Sequence, residues 1–155
     1  SHRQRSIWMV TNYRDLNLYA RYYRPGVVDI MPSIARFMQI GIPKTVEQEV
    51  DGISLIGAVS IANAEVNLVG KRLDITWKSF DDDQGKVRIW MTTTNHFSAG
   101  GKDEYRLLKE VPALQESAVI DLPGPASPFY KIVIEGEKNT INRWFVTGEG
   151  KDSGK

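Results

Sequence analysis

At 155 residues, 41% apolar and 25% charged, the chain suits one compact domain, or a short segment joined to a small module. Twenty Lys and Arg against 19 Asp and Glu leave a formal charge of +1, which argues against a nucleic-acid or anionic-membrane partner. Cysteine is absent, which removes disulfide and thiolate chemistry, and no apolar run nears the ~18 residues of a membrane span. The first residues carry no signal-peptide pattern.

Residues 7–56 read as mixed helix and strand. The apolar run Ile7-Trp8-Met9-Val10 predicts a strand buried on both faces, followed by a polar and aromatic stretch, 13–19, without a clear period. After Pro25-Gly26, Asp29 is placed to cap a helix, Pro32 falls in the first turn, and Gly41 follows the last apolar position. Ile30, Ile34, Phe37 and Met38 recur at helical spacing and predict one buried stripe. Pro43 should then keep the helix from resuming. The chain offers the stripe no evident landing surface, so self-association through residues 7–40 is expected.

From Ala58 onward the period is two. Leu73, Ile75 and Trp77 alternate with Arg72, Asp74, Thr76 and Lys78, and Val87, Ile89 and Met91 alternate with polar neighbours. Further strands are predicted at 65–69, 104–111, 117–122, 129–135 and 141–147, separated by Gly100-Gly101, Pro112 and Pro123-Gly124-Pro125. About seven short strands predict a mainly β fold, an immunoglobulin-like β-sandwich over 57–148. Residues 149–155 read as a linker or disordered end. Trp77 and Tyr130 belong in the core; Trp90 points to the opposite face from Val87, Ile89 and Met91.

Two stretches resemble known families. Val27-Val28-Asp29-Ile30-Met31-Pro32-Ser33-Ile34, then Gly41-Ile42-Pro43 and Asp51-Gly52-Ile53-Ser54-Leu55, resemble the close of alkaline-phosphatase-superfamily catalytic domains. In type I phosphodiesterases, nucleotide pyrophosphatases and sulfatases that close reads D-I-x-P-T … G-I-P … D-G-x-S-L, with Thr where Ser33 stands here. Leu73-x-Ile75-x-Trp77 and Tyr130-x-Ile132-x-Ile134 resemble strands B and F of fibronectin type III-like modules. Leu122 precedes Tyr130 by eight residues, where that family's tyrosine corner has six. The resemblance implies that 1–56 is the remnant of a phosphatase-like α/β domain, followed by a fibronectin type III-like sandwich, as in some Bacteroidetes surface hydrolases. It implies a secreted parent, periplasmic or at the cell surface, whose catalytic domain is this segment's partner and holds two divalent metals, zinc by expectation.

The chain itself is expected to be non-catalytic, with no catalytic, cofactor-binding or metal-ligating residue. The superfamily's chemistry needs Asp and His ligands and an activated Ser or Thr, supplied by motifs this sequence lacks. His2 is followed by Arg3 rather than Gly. Asp81-Asp82-Asp83-Gln84-Gly85 breaks the spacing of a calcium loop, which would need an acid where Thr92 stands. Gly52-Ile53-Ser54-Leu55-Ile56-Gly57 misses the nucleophile-elbow spacing by one residue, and His96 alone lies downstream. Trp90, with His96 and Tyr105, is the one candidate ligand surface, a stacking platform for a glycan. The alternative function is thus a carbohydrate-binding or protein-interaction module.

Overall fold

Alternating apolar and polar residues form seven strands in the computed structural model, which describes residues 9–80 and 85–147. One antiparallel sheet joins β1 (Ile61–Val69), β2 (Arg72–Ser79) and β5 (Ser117–Asp121) in the order β1-β2-β5. The other joins β3 (Lys86–Thr92), β4 (Arg106–Pro112), β6 (Phe129–Glu135) and β7 (Thr140–Val146) in the order β4-β3-β6-β7. Leu73, Ile75 and Trp77 from the first sheet meet Val87, Ile89, Ile132 and Ile134 from the second in one buried cluster. Such side chains each gain ~1.5–3 kcal/mol on burial, and the arrangement is that of a mainly β protein compatible with a β-sandwich.

Both predicted core aromatics are buried and satisfied. Trp77 donates its indole N–H to Ala113 O at 2.8 Å, and the Tyr130 hydroxyl accepts from Ser127 N at 2.8 Å. The second bond returns the ring to the backbone just upstream. β1 begins earlier than predicted, because a bulge between Ala62 and Glu65 carries the strand on, with Asn63 at φ +50°.

The N-terminal segment departs from expectation in several places. Met9 and Val10 lie in no strand and are exposed, Val10 at 91%; Ile7 and Trp8 fall outside the described residues, as do His2, Asp81 to Gln84 and 149–155. Helices form at α1 (Leu18–Tyr22), α2 (Ile30–Phe37) and α3 (Lys44–Glu47), with a 3-10 turn at Val27–Asp29 running into α2. Asp29 occupies the N-cap position of α2 as expected but makes no side-chain cap bond there; its carboxylate instead closes the 3-10 turn by accepting from Gly26 N at 2.7 Å. α2 stops before Gly41, at Gln39 (φ +56°), where Gln39 N reaches Arg36 O and Ile40 N reaches Ala35 O. That is a Schellman close with glutamine in the left-handed position. Pro43 starts α3 instead of blocking it: its φ of −57° suits the residue before a helical turn.

The helical stripe departs from expectation as well. Pro32 and Ala35 are the buried residues of α2, whereas Ile34, Phe37 and Met38 are 52%, 66% and 61% exposed. The periodicity is real, but the small-residue side faces the protein.

Candidate functional site

The motif residues of the N-terminal segment interlock. Buried Asp29 accepts from Ile53 N at 2.7 Å through one oxygen, and through the other from Gly26 N and the Tyr19 hydroxyl at 3.0 Å. Ser33 donates its hydroxyl to Asp29 O at 2.6 Å and accepts from Leu55 N at 2.8 Å. Gly52 lies so close to Val28 that a Cβ would stand 2.0 Å from its carbonyl oxygen. An acid, a hydroxyl and a glycine at these spacings thus weld two stretches of backbone together. None of the three presents a free reactive atom.

The weld is anchored to the sheets. Arg36 donates to the carbonyls of Ile56, Ala58 and Lys138, at 3.1, 2.7 and 3.2 Å. Residues 44–49 contact the outer face of the four-stranded sheet: Lys44 pairs with Glu135, Gln48 O accepts from Asn142 Nδ2, and Glu49 pairs with Lys131. The Lys131 and Glu49 side chains are each 7% exposed. Glu49 also accepts from the Tyr105 hydroxyl at 2.6 Å, and Lys131 lies 3.8 Å from Asp103. Burial raises the Asp103 pKa, but hydrogen bonds from Thr94 Oγ1 and from the His96 and Phe97 amides, with the Lys131 charge, outweigh it and hold the carboxyl below its usual value.

Of the residues nominated as a ligand surface, Tyr105 is tied to Glu49 and His96 borders the same cluster, its backbone N–H on Asp103 at 2.8 Å and its side chain exposed. Trp90 is half-buried and gives its indole N–H to Glu135 at 2.6 Å. The polar tips of Trp90 and Tyr105 are therefore engaged within the chain. Alternation alone placed Trp90 on the outer face; its acidic partner, 45 positions away, left no local signal.

Among the open surfaces of the described residues are an apolar helix face and a cleft. On α2, Met31, Ile34, Phe37 and Met38 form an exposed apolar face, extended by Tyr13, whose ring meets Phe37 edge-on at 5.9 Å. Between the end of α1 and β7 lies an open cleft of about 710 Å³. Sequence reasoning missed this cleft because its most exposed aromatic residues, Tyr22 and Trp144, are brought together only by the fold. Among the described residues no three His, Asp or Glu converge to hold a metal ion. No family model matches the chain, and no curated protein matches it in sequence.

Proposed function

We propose that this chain is a non-catalytic accessory part of a secreted, metal-dependent phospho- or sulfo-ester hydrolase. In this reading the N-terminal segment closes the phosphatase-like domain, and a fibronectin type III-like sandwich holds that segment in place. The observation that carries the reading is the two-sided helix α2. Its Pro32 and Ala35 side is fixed to the protein, while Met31, Ile34, Phe37 and Met38 stand in water. A contiguous apolar face of this kind marks a surface that another protein layer covers, and α/β domains cover their sheets with such helices. The strand orders β1-β2-β5 and β4-β3-β6-β7 support the second half, since they match A-B-E against C′-C-F-G. The metals and the nucleophile would belong to the phosphatase-like domain.

The test has two arms. The reading frame ahead of Ser1 should encode a Ser or Thr nucleophile and an Asp-His-Gly motif. The longer protein should hydrolyse a nitrophenyl phosphate or sulfate in the presence of zinc, while the present chain does not. In that longer protein, Phe37→Glu with Ile34→Glu should lower the melting temperature of the catalytic domain. An upstream frame without those motifs, or turnover by the present chain alone, refutes the proposal.

A further inference from the structure

The open cleft between α1 and β7 is built from ring faces and unpaired planar polar groups. On one side Tyr22 is 77% exposed; across from it Trp144 is 59% exposed and lies against Phe129 at 6.4 Å and 28°. The Phe129 contact orients the indole while leaving most of it open.

Part of the polar lining has no partner among the described residues. The side chains of Arg24, Asp51 and Asn63 make no hydrogen bond or ion pair among the described residues. Asn63 occupies the β1 bulge at φ +50°, a conformation costly for a side-chain-bearing residue but most tolerable for Asn. Bulges re-aim side chains, and this one leaves an unbonded carboxamide at the cleft. The neighbouring Asn142 is buried and spends only its Nδ2 on Gln48 O, leaving its acceptor oxygen unpaired among the described residues.

Those features select one ligand chemistry. A wholly apolar ligand would strip water from Arg24, Asp51 and Asn63 without replacing it. An anion would meet Asp51, and the Arg143 guanidinium is already committed to Asn142 O at 2.7 Å and Ala64 O at 3.0 Å. A neutral sugar satisfies both kinds of group, with its C–H faces on the rings and its hydroxyls on the carboxamides, carboxylate and guanidinium. The volume is that of a small-molecule site. We propose that this cleft, and not the Trp90 face, binds a short neutral oligosaccharide; the proposal is independent of the accessory role.

Titration with cellotetraose, xylotetraose, maltotetraose and chitotetraose, followed by tryptophan fluorescence and amide chemical shifts, tests it. Saturable binding of at least one of them is expected, with shifts at Asn63, Asn142 and the Trp144 indole. Trp144→Ala and, separately, Tyr22→Ala should weaken it about tenfold with unchanged melting temperature, while Trp90→Phe leaves it intact. Both aromatic targets are exposed, so folding is preserved in at least one variant. No saturation with any of the four at tens of millimolar overturns the proposal, as does binding that survives both aromatic substitutions. Binding only of a sulfated heparin tetrasaccharide, lost with salt and with Arg24→Gln, overturns it in favour of an anion site.

Discussion

Single residues carry the N-terminal segment. Burial, reinforced by the charge and hydrogen bond of Asp29, pushes the Tyr19 hydroxyl well above its ordinary range; burial, then the hydrogen bond and charge of Glu49, does the same for Tyr105. The folded state therefore keeps these protons after the unfolded chain, titrating at about 10, has released them. Their contribution is whole below that pH and is lost as pH rises beyond it. Urea midpoints measured from about pH 8 to pH 11 should fall steeply in the wild type and less in Tyr19→Phe with Tyr105→Phe; equal slopes would show that neither hydroxyl is coupled to folding. Gln39 makes a separate point. Its left-handed φ of +56° closes α2 where glycine is the usual residue. Gln39→Gly should stabilise the chain by about 1 kcal/mol, read as a higher urea midpoint at unchanged slope. A lower midpoint would mean the side chain contributes more than the backbone strain costs.

At the scale of elements, alternation decides which aromatic matters. Trp77 is 4% exposed and its indole is bonded to Ala113, so Trp77→Ala should cost ~3–5 kcal/mol. Half-buried Trp90 loses one bond to Glu135, and Trp90→Ala should cost about 1–2 kcal/mol. Equal losses would reverse the assigned faces of β3. The same outer face holds the Lys131–Glu49 pair, and removing one partner of such a buried pair leaves a charge uncompensated. Lys131→Met alone should cost ~3–5 kcal/mol. Lys131→Met with Glu49→Gln should cost less than the two single changes summed, by about 1 kcal/mol or more; strict additivity would remove the pair from the stability of the segment. Strands were legible because a half-buried strand writes its two faces into successive residues, as Leu73 to Lys78 do. α2 was legible as a helix and not as a contact, because periodicity marks a stripe without saying what covers it. Met9-Val10 misled for a related reason: an apolar run is necessary for a buried strand but supplies no neighbour to pair with. The weld at Asp29, Gly52 and Arg36 was hidden, since its bonds span as many as 102 positions.

For the whole molecule, the decisive feature is where apolar surface remains after folding. The segment is bonded to the sheets through Arg36, Lys44, Glu49 and Gln48, so the exposed face of α2 cannot be hidden by the segment simply folding back. Met31, Ile34, Phe37 and Met38 are each more than half exposed, and burying such side chains fully is worth ~1.5–3 kcal/mol apiece. Part of that gain is offset by the translational and rotational freedom lost on association, so a dimer through this face alone should be weak and concentration-dependent. Sedimentation velocity over a wide range of concentration should therefore show a rising weight-average mass. Phe37→Glu places a charge in the middle of the face without disturbing the buried Pro32 and Ala35 side. It should return the chain to monomer at every concentration while leaving the melting temperature unchanged. A wild-type chain that stays monomeric throughout would show that the face is too small to associate. An association that persists in Phe37→Glu would place the contact elsewhere on the molecule.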